Sequence, residues 1–426
     1  NTGVWLGIST TDATGTLNID GTPGARGVLE TSGFRGGLGT ADVTLDGGIV
    51  RAIADNASFF SNYGTQQVAL GAGGGTFDTN GHDIGIAPVI AGAGGLTKDG
   101  AGTLTLTGEN TYAGGTTITE GTLQLGDGGT TGSILGDVTD NGILAFNRSD
   151  VVTFDGTIAG TGGVSQIGTG KTILSTDNSS LTGISQVQNG ILSVNGILGG
   201  SMDVRGGRLQ GTGQVGDTAN FAGGVIAPGN SIGTLTVSGN YIGNGGTLEI
   251  ETELGDDSSA TDKLVVTGDT SGNTNVQVIN VGGVGAQTIE GIKIIDVAGA
   301  SDGSFTLAGD YTFEGDPAVV AGAYAYRLYQ GGVSTPTDGD WYLRSFLLDS
   351  DPPTTPLYQP GAPVYEVYAE VLQSFNALDT LQQRLGNRAW SDGAVAATTP
   401  SGDDAGSGLW GRIVGSHASI DSKSST

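Results

Sequence analysis

Two copies of a glycine-punctuated β pattern constrain the fold of this chain more than any other feature. The first copy, residues 92–126, contains three short runs at 95–98, 103–106 and 122–125, separated by turns that are rich in glycine or contain asparagine. In each run apolar residues alternate with threonine, lysine or glutamine, so one side of the strand suits a core and the other suits water. A second copy occupies residues 160–195.

Glycine, leucine and asparagine positions coincide between the two copies. The matched pairs are Gly94/Gly162, Gly100/Gly168, Gly102/Gly170, Leu106/Leu174, Asn110/Asn178 and Leu123/Leu192. A small β unit of this kind cannot bury its apolar side alone, so neighbouring units have to stack. The repeat therefore predicts a solenoid with coils of roughly 20 residues, each rising by about 4.8 Å, the spacing of hydrogen-bonded strands.

The same alternation predicts which side chains line the core of the rod. Apolar residues at alternate positions are expected to point inward and to stack along the rod, namely Leu104, Leu106, Leu123, Leu125, Leu174, Leu192 and Val194. Thr105 and Gln124 are expected to point outward. A register shifted by one residue would invert this assignment.

The first copy also resembles a known family motif, GxGxLxKxGxGTLxLxGxNTYxGxTTIxxGTLxLG. The residues that carry the match are Gly92, Gly94, Leu96, Lys98, Gly100, Gly102-Thr103-Leu104, Leu106, Gly108, Asn110-Thr111-Tyr112, Gly114, Thr116-Thr117-Ile118 and Gly121-Thr122-Leu123. This pattern resembles the passenger-associated transport repeat of bacterial autotransporters, the proteins of type V secretion. The second copy departs from it at Lys171-Thr172, Ser179-Ser180 and Gln186, as a decayed repeat would. The resemblance implies an all-β chain folded as a right-handed parallel β-helix.

The composition agrees with such a fold. Glycine accounts for 81 of the 426 residues, but proline is scarce at 11 and no G-X-Y period appears, so a collagen helix is excluded. The net charge is −27, from 43 acidic and 16 basic residues. A surface of that charge repels nucleic acid and anionic lipid and keeps a long β-rod soluble.

The sequence also fits a protein that is exported. It contains no cysteine, which suits passage through an oxidising periplasm. No apolar stretch reaches 18 residues, so no transmembrane helix is expected. Asn1 opens directly onto a strand-like run without the pattern of a signal peptide. On the family resemblance, we expect the chain to be a fragment of a longer precursor.

Residues 1–250 are predicted to form the β-helix rod. Residues 55–63 have the least regular sequence pattern and are predicted to form a loop that projects from the rod. Residues 228–237 resemble the PGNS-x-GTL-x-V signature that marks where autotransporter passengers enter their C-terminal folding-promoting region.

An aromatic-rich hairpin is predicted near the end of the rod. Residues 324–329 and 341–346 flank a Gly/Thr/Pro/Asp loop. Because the open end of a β-helix exposes unpaired backbone, residues 251–350 are expected to cap it, with Trp341→Ala costing roughly 3–5 kcal/mol if that side chain is fully packed. This segment is similar to the pertactin-like autochaperone of the family. The alternative is that it simply forms the last packed coils.

The remaining residues are predicted to lead toward a membrane barrel. Five prolines between positions 352 and 363 indicate a stiff linker. Residues 362–385 lack glycine and space their apolar side chains as an amphipathic helix does, with Gly386 as the C-cap, so residues 351–408 are assigned as linker and helix. Residues 409–426, beginning Leu-Trp-Gly-Arg, resemble the truncated start of a translocator barrel, which needs at least eight strands.

Catalytic motifs find little support. Residues 229–233 match the G-x-S-x-G nucleophile elbow at Ser231, but a β-run follows where a helix is required, and His82 and His417 are the only histidines. His82 is interpreted as a solvated turn residue. Residues 211–216 match G-x-G-x-x-G and residues 168–172 resemble part of a P-loop, yet no helix pattern follows either. No catalytic or cofactor-binding residue is assigned.

Calcium is the ion that the sequence favours most among metals. The candidate ligands are turn aspartates, Asp127, Asp137, Asp140 and Asp150 between coils and Asp256, Asp257 and Asp262 in one loop. Solvated turn aspartates held by Asx-type hydrogen bonds are the favoured interpretation, so no metal site is assigned. A polysaccharide lyase of the β-helix type is a further alternative, but basic residues are too sparse to place its site.

The combined interpretation is a surface-exposed or secreted autotransporter passenger that acts without catalysis, by adhesion or bacterial self-association. The alternative is an enzymatic β-helix passenger that acts on carbohydrate or ester substrates. The expected partners are a receptor on a host or bacterial surface, including a second copy of the chain in trans, and the outer-membrane barrel of the same precursor. No nucleic acid and no cofactor is expected. The expected location is the surface or outer membrane of a Gram-negative bacterium, with cleavage and release left open.

Overall fold

A computed structural model describes residues 3–6, 11–22, 24–63, 68–313, 315–347 and 355–375. They belong to two compact units, Asn1–Leu357 and Tyr358–Thr426, which are treated separately. The first unit contains every described β-strand and the second contains one helix.

The strands of the described residues are short and follow one another closely. They are β1 (Val4–Leu6), β2 (Thr14–Thr22), β3 (Ala25–Arg26), β4 (Val28–Thr31), β5 (Phe34–Gly36), β6 (Thr40–Asp46), β7 (Ile49–Ala52), β8 (Phe60–Ser61), β9 (Val68–Leu70), β10 (Gly75–Asp78), β11 (Ile84–Ile86), β12 (Ile90–Gly92), β13 (Leu96–Asp99), β14 (Thr103–Leu106), β15 (Thr116–Ile118), β16 (Thr122–Leu125), β17 (Val138–Asp140), β18 (Ile143–Phe146), β19 (Val151–Phe154), β20 (Ile158–Ala159), β21 (Gly163–Gln166), β22 (Lys171–Leu174), β23 (Asp177–Asn178), β24 (Ile184–Val187), β25 (Ile191–Val194), β26 (Ile197–Leu198), β27 (Ser201–Val204), β28 (Arg208–Gly211), β29 (Gln214–Val215), β30 (Thr218–Phe221), β31 (Val225–Pro228), β32 (Thr234–Val237), β33 (Tyr241–Thr252), β34 (Lys263–Val266), β35 (Thr270–Asn280), β36 (Ile292–Val297), β37 (Ser304–Ala308), β38 (Tyr311–Phe313), β39 (Asp316–Ala321), β40 (Tyr324–Gln330) and β41 (Trp341–Arg344). The helix α1 spans Ala362–Phe375.

Parallel pairing between successive coils arranges these strands on three faces. Face 1 consists of β4, β7, β10, β13, β15, β17 and β20, and continues from β23 through β26, β29, β32 and β34 to β36. Face 2 consists of β1, β5 and β8 and then of the run β11, β14, β16, β18, β21, β24, β27 and β30. Face 3 consists of β2, β6, β9 and β12 and later of β19, β22, β25, β28 and β31. Because the chain visits the faces in a fixed order, the prediction of a parallel β-helix is confirmed.

The register between coils matches the predicted coil length and core. On face 2, Leu104 pairs with Leu123, Leu123 with Leu144, and Leu144 with Val164, so each coil takes about 20 residues. All seven side chains predicted to point inward are at most 2% exposed. Thr105 is opposite Gln124 on the outer side of the same strands, and both are half-buried. The predicted alternation is therefore confirmed.

The two sequence repeats occupy different faces of the rod. The first copy places β13 on face 1 and β14 on face 2, then returns to the same faces with β15 and β16. The second copy starts one face later, with β21 on face 2 and β22 on face 3. Leu96 and Val164 are separated by 68 residues, which is more than three coils contain. Between these two positions the chain therefore completes three coils and passes to the next face. The motif therefore specifies two neighbouring strands and their stacking, without fixing a face.

Near residue 240 the coils change. β33 pairs through its first half with β30 and through its second half with β31, so a single strand spans faces 2 and 3. A bulge between Asn244 and Thr247 interrupts its pairing with β35, the next long strand. The parallel stacking of face 1 ends at β36, which pairs in parallel with β34 and antiparallel with β41.

The predicted aromatic hairpin is confirmed. β40 and β41 pair antiparallel, with Tyr329 opposite Tyr342 and Gln330 opposite Trp341. The sequence did not indicate the second hairpin, formed by β39 and β40 around a turn at residues 322–323. Tyr326 is fully buried, and its hydroxyl donates to the carbonyl oxygens of Gly255 and Ala286, both at 2.9 Å. The hairpin is thereby tied to the preceding coils.

The prediction that residues 55–63 form a loop outside the rod is wrong. Phe59, Phe60 and Tyr63 are at most 4% exposed, and β8 pairs with β5. Phe60 stacks on Phe34 at 4.5 Å between ring centroids and meets Tyr63 edge-on at 5.1 Å. Because aromatic side chains bury a large apolar area, their packing stabilises this coil although its strands are short.

The second unit is described through α1. It begins at Ala362, where the predicted helix begins, and Val364 and Tyr368 are 65% and 59% exposed. The predicted helix end at residue 385, Gly386 and the barrel start at 409–426 lie outside the described residues. Within the described part of the chain, no helix has the length and apolar character that crossing a membrane requires.

Paired substitutions in β16 test the register. Leu123 is fully buried, so Leu123→Ala should lower the free energy of unfolding by about 3 kcal/mol through lost burial and an unfilled cavity. Gln124→Ala, one residue along on the outer side, removes the hydrogen bond from Gln124 to the Gly126 carbonyl oxygen at 2.8 Å and should lower it by no more than about 1 kcal/mol. Urea unfolding followed by circular dichroism measures both. Equal losses, or a larger loss at Gln124, would contradict the assigned register.

Trp341 offers a second test of packing. Its indole is only half-buried, meets Phe305 edge-on at 5.1 Å and donates to the Ser301 hydroxyl at 3.4 Å. We therefore expect Trp341→Ala to cost about 2 kcal/mol, below the range for a fully buried tryptophan. Val284→Ala, at a side chain 83% exposed, is the control and should shift stability by less than about 0.5 kcal/mol. Unchanged thermal unfolding of the Trp341 variant would contradict this packing.

Candidate functional surface

Corner aspartates and asparagines connect one coil to the next. The carboxylate of Asp55 accepts a hydrogen bond from the Asp83 amide at 3.1 Å, and that of Asp83 accepts one from the Thr103 amide at 2.8 Å. The same contact recurs from Asp217 to Asn240 at 2.7 Å and from Asn240 to Asp269 at 2.9 Å. The oxygen of each of these side chains accepts a hydrogen bond from a backbone amide of the following coil that the strand pairing leaves without a partner.

These contacts decide the protonation of several exposed carboxylates. The pKa of Asp55 is lowered, first by the Asp83 amide and then by His82, whose Nδ1 lies 3.1 Å from Asp55 Oδ1. The pKa of Asp137 is lowered by the amide of Thr157, which donates to it at 2.8 Å. His82 remains partly exposed beside its turn, with 32% of its side chain accessible, and its ring also contacts Asp55 of the preceding coil.

Apart from Asp127, the candidate calcium ligands are engaged with partners in the protein. Asp150 pairs with Arg148 at 2.8 Å, and Asp257 accepts amides from three consecutive residues, Ile289, Glu290 and Gly291, each at 2.9 Å. Asp256 makes the expected Asx-type contact to the Ser258 amide at 2.9 Å. Across the described residues, no three acidic or histidine side chains come together as a metal site would require. The carboxylates serve turns and coil contacts there.

Two aspartates in turns predicted to be solvated are buried. Asp140 is 0% exposed and Asp262 is 2% exposed. Burial raises the pKa of each to about 6, against the opposing hydrogen bonds from Gly142 to Asp140 and from Gly233 and Glu251 to Asp262. The folded protein therefore holds their protons more tightly than the unfolded chain between about pH 4 and 6, so these two groups favour the folded state as the pH falls through that range.

Asp262 fixes the turn that contains Ser231. Its Oδ1 accepts the Gly233 amide at 2.8 Å, within the turn that joins β31 to β32. Ser231 is exposed, and a strand follows it where the nucleophile elbow requires a helix. The nearby Asn230 instead bonds to Asn195 at 2.8 Å and to Ser193 at 2.9 Å on neighbouring coils. The arrangement serves coil packing, while His417 lies outside the described residues.

The other two glycine-rich matches also precede strands. The residues after 168–172 continue β22, and those after 211–216 begin β30. Phosphate binding by such loops depends on a helix N-terminus that presents its free amides. Neither match has that structural context here.

The most unusual residue of the first repeat is Lys98. Its side chain is 0% exposed because it occupies an inward position of β13, two residues after Leu96. The ammonium donates to Thr79 Oγ1 at 2.9 Å and to the carbonyl oxygens of Gly100 at 2.6 Å and Glu120 at 3.0 Å. Burial lowers its pKa to about 8, although nearby carboxylates led by Asp99 act in the opposite direction.

The second repeat uses a neutral side chain at the equivalent position. Gln166 is 1% exposed, and its amide donates to the carbonyl oxygen of Gly168 at 2.9 Å, as Lys98 donates to Gly100. Thr172 Oγ1 donates to Gln166 Oε1 at 2.6 Å. Both side chains therefore satisfy inward carbonyl groups of the glycine turn that follows the strand. Lys98 lies on the same side of β13 as Leu96, so the assignment of the lysine in the first run to the water-facing side is wrong.

The shared asparagine has the same role in both repeats. Asn110 and Asn178 are nearly fully buried. Each accepts a hydrogen bond from an isoleucine amide one coil earlier, Ile90 at 2.8 Å and Ile158 at 2.7 Å. This contact supplies an acceptor where the preceding strand has no backbone partner, which accounts for the asparagine in both copies.

A groove lies along the outer side of face 2. It has a volume of about 440 Å³ and is lined by Ala57, Ser58, Asp83, Ile84, Gly85, Ile86, Ala87, Thr105, Thr107, Gln124, Asp127 and Asn147. We call it the face-2 groove. Gly85 lies in close contact with the preceding coil, since a Cβ there would lie 2.3 Å from the Ala57 carbonyl oxygen. Thr107 and Asn147 directly follow β14 and β18, and Asp127 lies two residues after the end of β16 on the coil between them.

Comparison with known proteins identifies the class to which this β-helix belongs. Residues 96–125 and 164–194 match the passenger-associated transport repeat, which confirms both predicted copies. Residues 217–328 match the family described as Autochaperone Domain Type 1. These matches define an exported β-helix passenger.

Three curated relatives agree with that class. The chain is 45% identical to the adhesin BmaC autotransporter of Brucella suis biovar 1 (strain 1330) over 97% of its own length and 12% of that protein. It is 33% identical to the probable autotransporter YfaL of Escherichia coli (strain K12), over 61% of this chain and 21% of YfaL. It is 41% identical to the autotransporter adhesin AIDA-I of Escherichia coli, over 37% of this chain and 11% of AIDA-I.

The chain belongs to the autotransporter passenger domains. It spans about an eighth of the length of BmaC, about a fifth of YfaL and about a ninth of AIDA-I. The same relatives assign it to the cell surface or outer membrane of a Gram-negative bacterium.

The buried lysine predicts a specific pH dependence. The pKa of Lys98 is about 8 in the folded protein and 10.5 in the free side chain, so the unfolded state holds more protons between these values. Raising the pH from 8 to 10.5 should therefore stabilise the wild type relative to Lys98→Gln, by about 3 kcal/mol at most.

Lys98→Gln is the appropriate variant because Gln166 occupies the same place in the second repeat. Urea midpoints of both proteins, measured at matched pH values, give the difference, and groups common to both cancel. A difference that is constant over this range would contradict the lowered pKa. Lys98→Met, which leaves the Gly100 and Glu120 carbonyl groups without this donor, should be less stable than Lys98→Gln.

Proposed function

We propose that this chain provides an adhesive, non-catalytic surface from the bacterial outer membrane. The supporting observation is the stacked rod itself, in which apolar side chains point inward and polar side chains stand outward in register on successive coils. Examples are Thr117 and Thr139 on face 1 and Thr105 and Gln124 on face 2. Regular polar surfaces of this kind offer many weak contacts at once, which add through multivalency. Relatives named as adhesins, BmaC and AIDA-I, support the same proposal.

The proposed division of labour follows the chain. Residues 1–250 form the contact surface, and residues 251–350 act as the folding-promoting cap at the C-terminal end of the rod. Residues 351–408 connect the passenger to the start of its own barrel at 409–426. The contacts of Tyr326 with Gly255 and Ala286 support a cap that is built onto the coils that precede it.

The proposed partners are receptors on host or bacterial surfaces, including a second copy of the chain in trans. The alternative, an enzymatic passenger that acts on carbohydrate or ester substrates, receives less support. Ser231 lies between two strands, and the described histidine, His82, is engaged with Asp55.

Arginine substitutions on separate faces test the adhesive surface. The precursor is displayed on a non-adherent bacterium, and Thr117→Arg on face 1, Gln124→Arg on face 2 and Ile173→Arg on face 3 are compared for clumping and attachment to host cells. At least one variant should lose attachment by about tenfold or more, with surface amount and thermal unfolding unchanged, because a bulky charge blocks contact on that face.

Two results would contradict the proposal. Full attachment by all three variants would exclude the rod surface as the contact. Turnover of a carbohydrate or ester that Ser231→Ala abolishes would favour the enzymatic alternative. Surface amounts, measured by flow cytometry with an antibody to a terminal tag, control for export.

A further inference from the structure

We infer that the face-2 groove binds a neutral polysaccharide along the axis of the rod. The inference rests on the proposed adhesive function and names the class of ligand at one of its surfaces. The groove lies where the coils are most regular, beside β11, β14, β16 and β18.

The walls of the groove carry polar groups that the protein does not use itself. Thr105 and Thr107 contribute hydroxyl groups, Asn147 an amide and Asp127 a carboxylate, and none of these four side chains makes a hydrogen bond within the described part of the chain. Three of the four are half-buried and Asp127 is exposed. Donors and acceptors held in position without internal partners are available to a ligand.

The spacing of these groups suits a chain of sugar rings. Thr107, Asp127 and Asn147 immediately follow the face-2 strands or lie within two residues of them, so they are separated by one coil each. Successive coils are about 4.8 Å apart, close to the length of one sugar residue in an extended glycan. Thr107 and Asn147 share one register position with Gly126 of the coil between them, and Asp127 is the next residue on that coil. Each ring of a bound chain would therefore meet one polar side chain from its own coil.

The floor of the groove is small and apolar. Gly85 has no side chain, and Ala57 and Ala87 contribute only methyl groups. Sugar rings present C–H surfaces between their hydroxyl groups, so this floor with polar walls matches their mixed character.

Charge decides between neutral and acidic glycans. The two ionisable groups that line the groove, Asp83 and Asp127, are acidic, and the whole chain carries a net charge of −27. An acidic polysaccharide would be repelled by this surface. A neutral polysaccharide is not repelled, and its hydroxyl groups can donate hydrogen bonds to the free carboxylate of Asp127.

An extended peptide is less well suited, because the backbone beside the groove is already paired. The amides of Thr107, Gly126 and Asn147 donate to the carbonyl oxygens of the preceding coil at 3.1, 2.9 and 2.9 Å. Strand addition needs an unpaired edge. The groups that remain free are side chains, which suit the hydroxyl groups of a glycan.

Titration of the 426-residue chain with defined oligosaccharides tests the inference. The neutral probes are cellohexaose and chitohexaose, the short control is cellobiose, and the acidic control is hexagalacturonate. We expect at least one neutral hexasaccharide to bind, with cellobiose about tenfold weaker because it reaches fewer coils. No binding of either neutral hexasaccharide, or tighter binding of hexagalacturonate, would overturn the inference.

Three variants locate the site. Ala87→Trp fills the groove from an exposed position, and Asn147→Ala removes a free amide; each should weaken binding by about tenfold or more. Thr153→Val is the control, because Thr153 is an exposed threonine of β19 on face 3, and it should bind as the wild type does. Equal loss in all three variants, or loss in none, would contradict a site in the face-2 groove. Circular dichroism melting confirms that each variant folds.

The same variants separate this inference from the proposed function. If Ala87→Trp removes glycan binding but displayed cells still attach and clump, adhesion uses another face and only the glycan site is supported. If no glycan binds while Ala87→Trp abolishes clumping, the groove contacts a second copy of the chain and the glycan inference fails. Loss of both activities in Ala87→Trp would support the two proposals together.

Discussion

The structure depends on one constraint, that each strand finds its hydrogen-bond partner a full coil away along the chain. A coil that fails to align leaves a row of unpaired amides and carbonyl groups on both neighbours. Close approach of the coils at their corners requires glycine at particular places. Gly92 and Gly160 have φ values of 128° and 134°, and a Cβ on either would lie 2.1 Å from a carbonyl oxygen of the preceding coil. The abundance of glycine in the sequence is thus tied to stacking at the corners.

The acidic character of the chain has a related physical origin. Side chains such as Asp83, Asp217 and Asp269 accept amides of the next coil that the short strands leave free. A carboxylate is a strong hydrogen-bond acceptor at such a position. Part of the net charge therefore contributes to coil alignment as well as to solubility. Lys98 and Gln166 have the converse role, because each donates hydrogen bonds to carbonyl groups that point into the rod. Lys98 does so with a buried ammonium group and Gln166 with a neutral amide.

The sequence was most informative where a pattern repeats. Alternation predicted the inward leucines of β14 and β16 and the hairpin of β40 and β41, because period two and turn composition are local properties. It failed at residues 55–63, where Phe59 and Phe60 are buried through contacts with Phe34 that are distant in sequence. The partners of His82 and Asp257 likewise lie one coil away, so local sequence could not reveal them. The face-2 groove depends on Gly85 and Ala57 meeting across coils, which only the register reveals.

The displacement of the second repeat by one face bears on how such proteins diversify. Unequal exchange between the two copies would join the strand before β13 to β21, and backbone pairing could continue because both copies present equivalent strands and turns. Every later coil would then be turned by one face about the axis relative to the earlier ones. Side chains that had formed one continuous stripe would be split between two directions. A single recombination event could thus alter the pattern offered to antibodies and receptors without any new point mutation in the core.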